Sequence, residues 1–340
     1  MKSKMLFIVS KFNKIPTNGF EHGIKLRLMQ FKKKHDVDLY CTKTLFSLNV
    51  LKKIQLMLRS LITNKPYIYL RDATSIETNL AKYKYLYIDT VTQVKEDFFR
   101  CELPICYVNC HNDDIEYMLE LSKVEKNIIR KILYKREARL LKNLYKSYLS
   151  KFDIKLLFLS NRDLLSFKNH LGLYDSNSLQ VMPHWTMDFE KISQKVDSFE
   201  SENKYRKFFF IGSGDHSPNV EALEFIVSLT SKIKLDFHII GPGWDKYFGN
   251  KNNHVIFDGF VEDLDKHITP NDVFVCPVYS GSGVNMKVIQ AMDLGVNIIL
   301  SEFSATPFSD DLKKYSELSL VKSIKNNELD PWIDALNELA

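Results

Sequence analysis

The sequence predicts an α/β protein with two doubly wound, Rossmann-like domains. Three observations carry this. Short, nearly all-apolar runs of strand length alternate with segments of helical spacing, which is the pattern of a parallel sheet covered on both faces. The alternation runs twice, on either side of a polar, charged stretch at residues 193–207. In the second series, four glycine loops stand at the ends of successive strands, where open α/β sheets bind their ligands.

In the first series, residues 5–10 form a buried strand, and Pro16 and Asn18-Gly19 mark the loop after it. A helix follows over residues 23–34 and a strand over 37–41. Residues 51–61 read as a basic helix. Residues 66–71, 83–91 and 104–110 read as the next three strands. Residues 113–146 form one long helical stretch, capped by Asp113 or Asp114, with an apolar stripe and many lysines and arginines in its second part. A strand at residues 155–160 and a helix from Asn161 complete the series. The domains are placed at 1–190 and 204–340, joined by a linker at about 191–203.

The second series opens with Phe208–Ile211, followed by Gly212-Ser213-Gly214 and a helix from Pro218. Residues 236–240 lead to Gly241-Pro242-Gly243, and residues 255–257 lead to Gly259. The stretch around which the chain is organised is 277–295. There a strand ending at Pro277 gives way to Ser280-Gly281-Ser282-Gly283 and then to a helix. Glycines let a ligand approach the backbone, and the helix start offers unpaired N–H groups and a positive dipole end. Lys287, in the first turn, adds a mobile positive charge suited to a diphosphate. Neither GxGxxG nor GxxxxGK[ST] is present, so neither a standard dinucleotide fingerprint nor a P-loop is supported.

Composition bounds the remaining classes. The 340 residues suffice for two cores, and 45% hydrophobic with 26% charged residues fits a soluble globular protein. No apolar run approaches the ~20 residues needed to span a bilayer. The basic, briefly apolar N-terminus reads as a first strand and not as a signal peptide. A net charge of +5 is too small to argue for nucleic acid. The five cysteines are odd in number and form no CxxC pair, which suits reduced thiols in a cytoplasmic protein.

Taken together, these features resemble the GT-B glycosyltransferases, most closely the retaining family-4 type. The likeness runs over nearly the whole chain and is strongest over residues 208–308. There residues 210–219, 237–243 and 257–261 look like successive strand ends of a donor domain. Residues 277–295 look like the donor-diphosphate motif in its GSG…K variety. In the first half, residues 16–19 resemble the glycine loop after the first strand, and Cys110-His111-Asn112 resembles the family's histidine at a strand end. Two such domains facing each other across a cleft are the implied architecture.

Roles follow from the resemblance residue by residue. Gly283, Val284 and Asn285, through backbone amides, and Lys287 would hold the donor diphosphate. Gln290 stands where the family has a ribose-binding glutamate, and Ser282 where it has a glutamate facing the donor sugar. Phe260 and Val261 would line the base pocket. Ser213, Gly214 and His216 would approach phosphates or sugar, and Asn18, Gly19 and Gly241 are further substrate-binding candidates. His111 is the candidate catalytic residue of the first domain, while Asp89, Asp113, Asp114 and Glu21 are acids of which the sequence selects none as a base. The implied activity is metal-independent, retaining transfer from a nucleotide-diphosphate sugar to a surface-glycan acceptor such as lipopolysaccharide or capsule, lipid-linked or free. It needs no cofactor. A cytoplasmic location is implied, with peripheral contact to anionic lipid at the inner membrane face through the basic segments 126–146 and 52–59. Two alternatives are an inactive GT-B partner that binds nucleotide sugar, suggested by Ser282 and Gln290, and a nucleotide-sugar epimerase.

Overall fold

The structure is a computed structural model. It describes all residues except 1, 11, 13–18, 43–48, 73–77, 94, 96–97, 99–103, 174–176, 184, 200–205, 248–253, 282 and 340. The chain divides into two units, Met1–Trp185 with Ser282–Val284, and Thr186–Gly281 with Asn285–Ala340.

The first unit is built on β1 (Ser3–Val9), β2 (His35–Cys41), β3 (Tyr85–Ile88), β4 (Ile105–Cys110), β5 (Ile154–Phe158) and β6 (Leu179–Val181). Every pairing is parallel and the order is β2-β1-β3-β4-β5-β6. The chain starts at β1, adds β2 on one side, and then crosses to β3 on the other. The strand order therefore reverses between β1 and β3, where a doubly wound sheet opens at its carboxyl ends. Met5–Val9 is buried on both faces, and the Phe7 ring stacks on Tyr87 at 4.3 Å. These residues are apolar throughout because helices cover both sides of the sheet.

The second unit repeats the scheme with β7 (Phe208–Ile211), β8 (Phe237–Ile240), β9 (Val255–Gly259), β10 (Val273–Cys276), β11 (Asn297–Ser301) and β12 (Val321–Ile324). The order is β12-β11-β10-β7-β8-β9, again all parallel. Here the reversal lies between β7 and β10. Their carboxyl ends carry the Gly212-Ser213-Gly214 loop and the loop that leads to Lys287. Among the described residues, no helix is long and apolar enough to cross a membrane.

The linker expected at about 191–203 is in part a helix, Phe189–Asp197, and two further elements differ from expectation. The strand expected at residues 66–71 is instead a helix, Tyr67–Asp72. Its Tyr-Ile-Tyr-Leu run favours a strand, but tertiary contacts override that preference. The Glu137 carboxylate accepts from Tyr67 N and Ile68 N, both at 3.0 Å, and so satisfies two of the N–H groups that a helix start leaves unpaired. Secondly, the single long helix expected over 113–146 is two, Asp114–Val124 and Ile128–Lys151. Asn127 begins the second by accepting from Ile129 N and Arg130 N at 3.0 and 3.2 Å. Asp113 caps the first in the same way, as the sequence indicates.

Glu137 is buried and its two bonds carry charge, so Glu137→Ala leaves two backbone donors without partners. It is expected to destabilise the protein by about 1–3 kcal/mol, with Glu137→Gln recovering part of that loss. Urea denaturation checks this, with equal stability of wild type and Glu137→Ala as the contrary result.

Candidate functional site

In the second unit the glycine loops pack directly on one another. Gly212 N donates to Ile240 O, Gly214 N to Pro242 O, and Gly241 N to Gly259 O, at 2.9, 2.9 and 2.7 Å. The approach is so close that a Cβ on Gly241 (φ +135°) would meet the Gly212 carbonyl oxygen at 2.1 Å. A Cβ on Gly214 would meet the Gly243 carbonyl oxygen at 2.2 Å. Only glycine fits either place. Trp244, fully buried, braces the layer by donating from Nε1 to Gly212 O at 2.9 Å.

Two helices begin beside these loops, Ser217–Thr230 after β7 and Met286–Leu294 after β10. Neither first residue, His216 or Asn285, makes a side-chain cap to its own helix. Asn285 instead donates from Nδ2 to Ser304 Oγ at 2.9 Å. The two starts are tied together by side chains. Lys287 Nζ donates to Asn219 Oδ1, and Asn219 Nδ2 donates to Ser213 O at 2.9 Å. Ser280 Oγ donates to Glu221 Oε2 at 2.5 Å. Ser301, the last residue of β11, and Ser304 just beyond it both donate to Val278 O and so hold the base of the loop after β10.

The corner holds the Lys287 ammonium and, one turn into the helix after β7, the Glu221 carboxylate. Lys287 is half-buried, yet its ammonium lies inward, 4.3 Å from the centre of the Phe210 ring and against the Asn219 amide. It is not the mobile surface charge expected from the sequence. Among the described residues no carboxylate pairs with it. Loss of hydration pulls its pKa from 10.5 down to about 8. The His216 imidazole is also lowered, first by partial desolvation and then by Lys287, although its side chain keeps an exposed face. A cation with a neutral partner, next to two helix starts without side-chain caps, is an arrangement that favours an anion.

In the first unit, His111 follows β4 and Asp89 follows β3, so neighbouring strands end in an imidazole and a carboxylate. His111 Nε2 lies 2.8 Å from Asp89 Oδ1. Asp89 is fully buried, and its Oδ2 has no hydrogen-bond partner among the described residues. Tyr87 OH reaches Oδ1 at 3.5 Å, and the buried Arg27 guanidinium is near enough to attract both Tyr87 and Asp89. Arg27 also donates to Pro183 O at 3.1 Å and to Met182 O, fastening its helix, Gly19–Lys34, to the segment after β6. Asp113 and Asp114 are occupied differently. Asp113 caps a helix and accepts from Ser166 Oγ at 2.7 Å, and Asp114 accepts from Tyr145 OH at 2.7 Å. Burial raises the Asp114 carboxyl to about 6.

Of the residues expected from the sequence, Ser213, Gly214, His216, Gly241, Asn285 and Lys287 stand on the loops just described. Gln290 lies half-buried on the helix that Lys287 begins. Phe260, 61% exposed, and Val261 follow β9 and Gly259. Gly283 takes φ +75°, and it and Val284 group with the first unit, where the Arg162 guanidinium donates to the Gly283 carbonyl. Gly19 is the first residue of its helix. Asn18 and Ser282 lie outside the described residues. Sequence reasoning missed Asn219, Trp244, Ser301 and Ser304, and left Asp89 one acid among four. A polar residue one position after Pro218 in a helix's first turn was the available signal for Asn219.

Residues 205–322 match the family model described as glycosyl transferases group 1. No curated protein matches the chain significantly in sequence. Among solved structures, a trehalose-phosphate synthase (UDP-forming) from Burkholderia vietnamiensis is 10% identical with a TM-score of 0.59, over 100% of this chain and 90% of that one. Anabaena Alr3699/HepE in complex with UDP and glucose is 12% identical with a TM-score of 0.55, over 99% and 90%. The chain covers 47% of the TarM chain with 75% of its own length, at 13% identity and a TM-score of 0.47, too low to carry an argument. The likenesses give the fold, two Rossmann-like units of the GT-B class. The family match over residues 205–322 supports a glycosyltransferase.

Because folding lowers the Lys287 pKa, the unfolded chain holds this proton more tightly than the native state between pH 8 and 10.5. The penalty on the native state is full below pH 8 and is relieved as pH rises through that window. Relative to Lys287→Met, the wild type should therefore gain about 1–3 kcal/mol of stability across it. Denaturant titrations at several pH values measure the difference. A pH-independent difference would contradict the desolvated ammonium.

Proposed function

We propose that the protein transfers a sugar, with retention and without a metal, from a nucleoside-diphosphate sugar to a surface glycan, free or lipid-linked. The observation that carries this is the meeting of two helix starts at Lys287, whose charge has the Asn219 amide and the Phe210 ring but no carboxylate as partner among the described residues. A diphosphate placed there would accept from the helix N–H groups and from the ammonium. As the bond from the anomeric carbon to the diphosphate breaks, negative charge grows on the leaving phosphate. Fixed dipoles and a fixed cation stabilise that charge at no cost in reorganisation. Lys287 would regain its proton as the anion binds, so binding is coupled to proton uptake above pH 8.

His111 is assigned to the transferring sugar, with Asp89 as the residue that orients the ring. Gly241, Phe260 and Val261 are assigned to the nucleoside side, and Gln290 to the ribose through its amide. The bound nucleotides of HepE support a nucleoside-diphosphate donor. Support for a lipid-linked glycan and for the inner membrane face is the excess of lysine and arginine in residues 52–59 and 126–146. The second reading, an inactive partner that binds nucleotide sugar, is favoured only by Gln290 and Ser282 in place of two acids.

Lys287→Ala is expected to weaken nucleoside-diphosphate binding about 10- to 100-fold, the range for one charge-assisted contact. Calorimetry with the folded variant measures it, and unchanged affinity removes the site. His111→Ala should lower turnover of the donor far more than it weakens donor binding, with Asp89→Asn between it and the wild type. Equal losses in kcat and affinity would make His111 structural. Tight binding without turnover, with or without acceptor, would select the inactive partner.

A further inference from the structure

The helix Val50–Thr63 is built the wrong way round for a helix of a water-surrounded domain. Only Leu56 and Ser60 are buried. Val50, Leu51, Ile54, Met57, Leu58, Leu61 and Ile62 are all strongly exposed, reaching 78% at Leu51 and 84% at Ile62. At 100° per residue these seven occupy one continuous arc of roughly 140°, facing away from Leu56 and Ser60. Cations flank the arc, Lys53 on one side and Lys52 with Arg59 on the other.

A second exposed apolar group lies on the helix Ile128–Lys151, which meets Val50–Thr63 on the side opposite the arc. Arg136, on Ile128–Lys151, donates to Ser60 Oγ and Ser60 O at 2.9 and 2.7 Å, and to Asn64 Oδ1 at 3.3 Å. Ile132 and Ile129 lie one and two turns before Arg136 on the same face, and both are exposed, as is Ile128 at 70%. The two helices thus hold ten of the sixteen strongly exposed large apolar side chains among the described residues. Residues 49–65 and 126–136 together contain nine lysines and arginines and no aspartate or glutamate.

We infer that the apolar arc of Val50–Thr63 lies in the plane of an anionic lipid bilayer. The apolar arc would enter the headgroup–acyl boundary, and the flanking cations would meet lipid phosphates. Burial of apolar area and attraction to anionic lipid are the two terms that hold an interfacial helix, and both are present on one face. Charge decides against a second copy of the chain. A symmetric dimer would set each cationic flank against its own image. An acidic protein partner is the remaining occupant, and the test separates it. The inference stands on exposure and charge and does not depend on the transfer chemistry.

Flotation of the full chain with vesicles tests it. The protein should float with phosphatidylcholine vesicles containing phosphatidylglycerol, remain behind with phosphatidylcholine alone, and be released by high salt. Ile54→Glu with Leu58→Glu should reduce partitioning about tenfold or more, as should Lys52→Gln with Lys53→Gln and Arg59→Gln, with Tm unchanged. A tryptophan in Leu58→Trp should shift its emission to the blue on anionic vesicles. No flotation with the anionic vesicles, equal flotation with both kinds, or flotation unaffected by the glutamates would overturn the inference. So would a dimer in sedimentation equilibrium that the glutamates dissociate. Nucleoside-diphosphate affinity of the glutamate variant should equal that of the wild type, which keeps this test separate from the proposed activity.

Discussion

A lysine ammonium held against an amide, without a carboxylate, is the constraint on which the second unit turns. Lys287 begins one helix and Asn219 stands in the first turn of another, so their bond brings two positive dipole ends together. Desolvating that ammonium costs stability, as its lowered pKa records. The surrounding structure supplies the compensation. Trp244 and the interlocked glycines fix the β7 and β8 loops, and Ser301 with Ser304 fixes the loop after β10. A corner kept cationic at a cost in stability is a corner prepared for an anion.

The topology explains why this corner lies where it does. In both units the strand order reverses beside the first strand, β1 or β7, and the crossover leaves the carboxyl ends open. In the second unit those ends carry amides and an ammonium. In the first unit the neighbouring ends of β3 and β4 carry Asp89 and His111. The same architecture thus presents different chemistry in each unit. The buried Asp89 has one oxygen on His111, and its other oxygen has no partner among the described residues.

Much of this was legible in the sequence. Strands such as Phe208–Ile211 are apolar because both faces are covered, and that pattern survives without any tertiary knowledge. Glycines at 212, 214, 241 and 259 were legible as loop residues; a Cβ would collide at the first three, and Gly259 takes φ +71°. What was hidden depends on partners distant in sequence. Residues 67–72 become a helix because Glu137 caps them, and a propensity for strand cannot foresee that carboxylate. Lys287 looked mobile because its desolvation comes from Phe210 and Asn219, far away in sequence. Residues 50–63 were legible as a basic helix. Which of its faces turns outward is fixed only when Leu56 and Ser60 find the unit's interior.

The most direct measurement is a thermal-shift screen of nucleoside diphosphates and nucleotide sugars against the full protein, since a ligand that binds only the folded state raises Tm. The account predicts a selective rise with one nucleoside diphosphate and its sugar, and none with the corresponding nucleoside, which lacks the phosphates. A rise that the nucleoside matches, or no rise with any diphosphate, would contradict a site built around the Lys287 ammonium.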